Sequence, residues 1–342
     1  MAEPLILFGA FDRHNLGDIL LGHIAAAEAA PRPAIHAGLA GRDLTVWGGH
    51  RVRPLPALAQ DWGERPADLL HVGGELLTCS AYEAAVMLQT DADARAAIAR
   101  YDADPAARSN WAARELGLAA RLPYLAEKSL FRRPRRFEYR AVGGVAFDRL
   151  PPPARAEAGR RLAEADRVSV RERTSLGHVA GLGIAAELEA DPVGRVAALF
   201  GTDIRRHAGQ GAPAAVRAAF PAGYLAVQCA AECGDDAGLD RLAAHLDGLA
   251  PAGIVLFRAG AAPWHDDLDV YRRLAGKLPE RPLRLFESLN VWDVCALLAG
   301  AEAYCGSSLH GGIVARAFGV TVLPFPLAER AEKQAAYWRT WA

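Results

Sequence analysis

The sequence predicts an α/β protein: two Rossmann-like domains whose parallel sheets face a cleft. Three observations predict it. Short, nearly continuous apolar runs alternate with longer helical patterns along almost the whole chain, as they do when strands are covered on both faces by crossover helices. The 342 residues exceed what one compact core usually serves. Gly, Pro and polar residues concentrate at 201–222, between two series of strand–helix units, and mark an irregular boundary.

In order, the first-series strands are LILF (5–8), DLLHV (68–72), YRAV (139–142), RVSV (167–170) and AELEA (186–190). YLAVQC (224–229), GIVLF (253–257), LRLF (283–286), EAYC (302–305) and VTVL (320–323) form the second. Helical patterns fall at 18–29, 80–100, 154–165, 234–249, 264–277, 291–299 and 311–318. The charge density of FRRPRRFEYR argues for an exposed loop over 121–138. LAERAEKQAAYWRTW reads as an amphipathic helix that packs back on the first domain. The resulting division is 1–205, 206–326 and a terminal helix over 327–342.

A formal net charge of -1 provides no field for nucleic acid or anionic membrane. Five scattered cysteines indicate a reducing compartment without a disulfide framework. The first residues lack a basic n-region and a cleavage site, and no uncharged apolar run reaches membrane-spanning length. A cytoplasmic location is expected, with peripheral membrane contact left open.

Ligands of open parallel sheets bind beyond the carboxyl ends of the strands, so four strand–helix junctions carry the functional reading. In GAFDRHNLGD (9–18), Asn15 caps a helix, Gly17 follows, and Asp18 sits in a capping-box-like position. A well-capped helix and a substrate-binding loop are both compatible with it. His23, on the apolar face, reads as a core histidine. In LLHVGGELLTCS (69–80), Gly73 and Gly74 admit close approach of a ligand or of another backbone. Glu75 follows as a hydroxyl acceptor or general base; a tight turn is the plain alternative. Arg171 is the first residue past RVSV, placed to grip carboxylate or phosphate, unless Glu172 and Arg173 form only a surface pair.

The fourth junction is GSSLHGGIVARAFGV (306–320). Ser307 or Ser308 caps the helix, and Gly311 and Gly312 leave its first turn bare for a phosphate. His310 offers a hydrogen bond or a proton near neutral pH. Its structural alternative is a capping contact. Asp191-Pro192 suffices as a helix start, Gln228 ends a strand facing the cleft, and Cys229 and Cys233 lack the rest of a zinc site.

Together these junctions resemble the polysaccharide pyruvyl transferase family. The chain carries N-x-G-D (Asn15 to Asp18), strand-Gly-Gly-x-Leu-Leu (Val72 to Leu77), V-R-E then Ser175 (from Val170), A-D-P (190–192) and S-x-L-H-G-x-I-x-A (Ser307 to Ala315). The resemblance implies a GT-B-like pair of domains and phosphoenolpyruvate as donor substrate, with no further cofactor and no metal. It implies a pyruvyl ketal formed on a saccharide or lipid-linked glycan, with Arg171, Leu309 and His310 at the donor. Ser307, Ser308 and Gly311 join them on the physical reading. Asn15, Gly17, Asp18, Gly73, Gly74 and Glu75 then face the acceptor. Glu75 stands where many members have a third glycine, and Ser308 where many have a basic residue. A nucleotide-sugar glycosyltransferase of the same architecture and a non-catalytic sugar or phosphate binder are the competing readings.

Overall fold

A computed structural model describes residues 3–341. The first series of strands is β1 (Leu5–Phe8), β2 (Ala34–Gly38), β3 (Arg42–Asp43), β4 (Arg51–Pro54), β5 (Ala67–Val72), β6 (Pro134–Val142), β7 (Arg167–Val170) and β8 (Glu187–Leu188). The second is β9 (Leu225–Gln228), β10 (Ile254–Phe257), β11 (Leu283–Phe286), β12 (Ala303–Gly306) and β13 (Thr321–Val322). Between the first strands run α1 (Leu16–Ala29), α2 (Leu55–Trp62), α3 (Ala81–Met87), α4 (Asp91–Tyr101), α5 (Pro105–Leu116), α6 (Pro152–Ala163) and α7 (Arg173–Gly181). Then come α8 (Val196–Ala208), α9 (Gly211–Ala219), α10 (Asp236–Leu249), α11 (Leu268–Gly276), α12 (Val291–Ala299), α13 (Leu309–Ala317) and α14 (Glu332–Trp341). Among the described residues no helix is long and apolar enough to cross a membrane.

One sheet has the order β3-β4-β2-β1-β5-β6-β7-β8 and the other β11-β10-β9-β12-β13. Every pairing is parallel except the short edge β3, antiparallel to β4. The strand order turns back between β1 and β5 in the first sheet and between β9 and β12 in the second. Those two switch points open crevices at the strand ends, and there lie the loop before α1, Gly73-Gly74, Gln228 and Ser307–His310.

α1 brings the crevices together. Leu16, Ile19, Leu20, Leu21 and Ile24 are all buried to within 1%, because the helix packs on the first sheet and on α8, α12 and α13. A helix wrapped on all sides needs apolar residues all round. Across the junction Leu16 N donates to Ala259 O at 2.7 Å, and Ala261 N to His14 O at 3.2 Å. His14 Nδ1 accepts from Ala261 N at 3.1 Å and Nε2 donates to Leu289 O at 2.6 Å, a pattern only the neutral imidazole protonated at Nε2 can make.

Several elements differ from the sequence reading. The predicted 80–100 helix is two, α3 and α4, since the Ser80 capping box and the Thr90 cap each start a new one. The 201–222 stretch is helical: α8 and α9 hold their glycines because Val196, Ile204 and Val216 are buried against the second unit. β6 begins at Pro134, inside the predicted loop, with exposed Arg132, Arg135 and Arg136 paired to Glu64, Asp68 and Glu138. β2 and β4 have too few apolar residues to read as strands. AELEA contributes only Glu187–Leu188, and the predicted 264–277 helix starts at Leu268.

Candidate functional site

The first turn of α1 organises the first unit's side of the cleft. Asn15 Oδ1 accepts from Gly17 N at 3.0 Å and Asp18 N at 3.2 Å, so capping uses the side chain expected at the acceptor. Asp18 stands over the strand–Gly–Gly turn, its Oδ1 2.6 Å from where a Cβ on Gly74 would be. Gly74 has φ +61° and Gly73 +77°, and Leu21 fills the space beside Gly73. The room a side chain would need at these glycines is taken by α1 through Leu21 and Asp18, so the junction is the tight turn given as the plain alternative for Gly73 and Gly74.

Arg13 lies beside this turn with its side chain 9% exposed. Nη2 is 3.6 Å from Asp18 Oδ2, Nη1 donates to the Tyr124 hydroxyl at 3.1 Å, and Nε has no partner. Arg13 and Lys333 of α14 both bear electrostatically on Cys79 and His265.

Arg171 follows β7 as expected, but its guanidinium is already engaged. Its side chain is 3% exposed. Nη2 donates to Glu75 Oε2 at 2.9 Å, Nη1 to Asp191 Oδ2 at 3.2 Å, and Nε lies 3.4 Å from Glu172 Oε2. Gly143 makes room for the pair; a Cβ there would stand 2.6 Å from Glu75 Oε2. The other Glu75 oxygen accepts from Val145 N at 2.7 Å. Arg171 thus presents no free fork to a donor, and Glu75 faces the arginine rather than an acceptor hydroxyl. Three carboxylates around one buried guanidinium leave the group anionic overall. Burial pushes the Glu172 carboxyl up against the pull of Arg171.

His310, in the first turn of α13, reaches across to this cluster. Its Nε2 is 3.1 Å from Asp191 Oδ2, and its side chain is 12% exposed. Burial raises the Asp191 carboxyl, but His310 and Arg171 outweigh burial and hold it at about 2. Asp191 also caps the following turn, accepting from Val193 N at 3.0 Å, the role assigned from sequence. The rest of the imidazole lies on Gly17, where a Cβ would overlap the ring at Nδ1. Gly17 is thus required by His310, although 293 residues separate them (17 to 310).

Around His310 the expected anion cradle is closed. Ser308 Oγ accepts from Gly311 N at 3.1 Å, as a cap should. The side of Gly311 that lacks a side chain faces the Tyr304 hydroxyl, which lies 2.7 Å from where a Cβ would stand, and that of Gly312 faces Trp338. The glycines accommodate aromatic rings, so Gly311 is not bare backbone for phosphate. Leu309 is 7% exposed and belongs to the core. Ser308 N and Ser307 Oγ both donate to Gln228 Oε1, at 2.8 and 3.3 Å, and Gln228 Nε2 donates to Asp266 Oδ1 at 2.8 Å. Desolvation raises the Asp266 carboxyl, against the bonds from Ala259 N, Gln228 and Gly260 N.

The structure thus gathers Gly17, Glu75, Arg171 and His310 around Asp191, with Asp18 and Gly74 one turn away. Ser307, Ser308 and Gly311 brace α13 instead. Asp191, Arg13 and Asp266 carry the site's electrostatics, a role the sequence reading does not assign to them. For Asp191 the available signal is its place in A-D-P.

No curated protein matches the sequence. The structure is similar to UDP-GlcNAc 2-epimerase from Methanocaldococcus jannaschii, with TM-score 0.50 and 12% identity, covering 98% of this chain and 92% of that one. It is similar also to UDP-GlcNAc 2-epimerase from Neisseria meningitidis bound to UDP-GlcNAc, with TM-score 0.50, 10% identity and 96% and 85% of the two chains. At such identities the likeness shows the fold, a GT-B-like pair of Rossmann-like units. The family model for polysaccharide pyruvyl transferase matches residues 131–327. That span covers more than half of the chain and includes Arg171, Asp191 and His310, while Asn15–Asp18 and Gly73–Glu75 lie before it. The chain belongs to the polysaccharide pyruvyl transferase family.

Proposed function

We propose that this protein moves the pyruvyl group of phosphoenolpyruvate onto two hydroxyls of a saccharide or lipid-linked glycan, in the cytoplasm and without a cofactor. The two hydroxyl oxygens bond to C2 of the donor and the C2–O–phosphate bond breaks. One hydroxyl proton ends on the former methylene, making a methyl group, and the other leaves with phosphate.

The observation that carries this reading is the Asp191–His310 pair at the cleft, inside the span matched by the family model. Asp191, held ionised, fixes the imidazole through Nε2 and stabilises it when protonated, as a carboxylate does in a catalytic triad. Nδ1 is then the atom that exchanges a proton with the enol methylene or the departing phosphate. Arg171 acts through Asp191 as a positioning residue. The basic groups left for the donor's phosphate and carboxylate are His310 and Arg13.

The test is incubation with phosphoenolpyruvate and an acceptor panel, following phosphate release and the glycan mass. Glycan gaining one pyruvyl ketal, lost in His310→Ala, is the expected result. Thermal stabilisation by nucleotide sugars alone, with no phosphate released for any acceptor, would overturn the reading.

A further inference from the structure

The residues expected at the acceptor turn inward: Asn15 caps α1, Asp18 and Gly74 pack together, and Glu75 holds Arg171. Elsewhere on the cleft one residue stands out. Trp264, in the loop between β10 and α11, has φ +65°, the left-handed region that a bulky side chain rarely occupies. It is also 43% exposed. Neighbours pin the loop: His265 N donates to Ala262 O at 3.0 Å and Ala261 N bonds across the cleft to His14 O at 3.2 Å. A large part of the indole stays exposed in this strained conformation, and such strain persists chiefly where function uses it.

Across the cleft Trp264 meets Tyr82 of α3, ring centroids 5.8 Å apart at 62°. Tyr82 is 7% exposed, and its hydroxyl is buried. The guanidinium of Arg108 lies over the Tyr82 ring at 5.4 Å, where its Nε donates to Asp102 O at 2.6 Å. An exposed indole face suits a ring that presents one apolar C–H face. The loop also connects to the chemistry: Gly260 bridges to Asn15, the cap of α1, two residues before Gly17.

We propose that Trp264 is the acceptor platform, stacking its indole on a pyranose ring of the glycan. The sugar's identity as an acceptor rests on the transferase reading above; its binding at Trp264 does not.

The experiment is calorimetric titration of the full chain with methyl pyranosides of the gluco, galacto and manno series, for wild type, Trp264→Gly and Trp264→Phe. Wild type binds at least one glycoside. Trp264→Gly, at ease with the left-handed backbone, raises Tm yet weakens binding by about tenfold, the scale of one aromatic stacking contact. Trp264→Phe keeps most of the affinity. Wild type binding no glycoside, or Trp264→Gly binding like wild type, would overturn the platform. Glycoside binding at Trp264 without phosphoenolpyruvate turnover would sink the transferase reading alone. Turnover by Trp264→Gly with an unchanged acceptor KM would sink the platform alone.

Discussion

At the scale of single residues, the placement of His310 depends on two groups that touch its two nitrogens. Gly17→Ala puts a methyl into the imidazole, so the ring must leave Asp191. We expect turnover to fall by about 10²–10⁴-fold, the worth of a positioned acid–base group, with the circular dichroism spectrum retained. Turnover near wild type would show that His310 acts from another position. Asp191→Asn removes the charge shared by His310 and Arg171. It should lower kcat by at least about 10²-fold while the KM for phosphoenolpyruvate moves little. The folded Asp191 carboxyl is depressed from 3.8 to about 2, so its contribution is complete above 3.8 and fades only as pH falls toward 2. At pH 5 the variant should therefore be less stable by ~2 kcal/mol in urea denaturation. The sequence singles out Gly17, Arg171 and His310, but it cannot show what fills the space around each. Gly311 and Gly312 illustrate this: absence of a side chain reads alike whether Tyr304, Trp338 or a ligand takes the room.

Among elements, the packing of α1 against β2 and the β4 edge stacks three histidines that the chemistry does not use. His36 and His50 lie 3.7 Å apart with 10° between planes, and His23 lies 4.1 Å from His50. Each Nε2 meets a backbone oxygen, of Gly48, Gly22 and Ile19 respectively for His23, His36 and His50. Burial, with neighbouring imidazoles, lowers His36 to about 4 and His50 to about 2. Since folding holds these groups neutral, the unfolded chain binds more protons below pH 6.5. Stability should be full above that pH and decline as pH falls from 6.5 toward 4, by about 1.4 kcal/mol per histidine per unit. Urea midpoints at pH 7, 5.5 and 4.5 measure this, and His36→Leu should flatten the dependence; an unchanged slope in that variant would remove His36 from the effect. Only His23 is legible as a core residue, from its helical position. β2 and β4, which carry the vicinity of the other two, are not legible because AIHAG and RVRP place polar residues where buried strands usually show aliphatic ones. The elements read with closest bounds, β1, β7, β11 and α12, are those whose own residues are sufficient; α8 and α9 form because α12 packs on them.

The whole molecule follows from that dependence of one unit on the other. A single buried cluster runs from Leu7 and Leu70 of the first sheet through Ile19 and Leu20 of α1 to Phe257, Leu297 and Ile313 of the second unit. α14 then returns to the first unit: Trp341 Nε1 donates to Arg171 O at 2.7 Å and Arg173 N to the Thr340 hydroxyl at 3.2 Å. The alternation of strands and helices reveals two sheets, yet no periodicity can show that α1 lies between them, since an all-round apolar helix is equally at home inside one domain. Separating the units would expose the inner faces of α1, α12 and α13 at about 25 cal/mol for each Å² of apolar area. Neither half should therefore keep its structure once the other unfolds. Calorimetry of the full chain is expected to show one transition with equal calorimetric and van't Hoff enthalpies. Two resolved transitions would mean that the shared cluster does not couple the units. One transition also bears on catalysis, because a cleft welded at His14, Leu16 and Trp341 cannot open by wide hinge motion without breaking core. Any ligand must then reach His310 without such a motion.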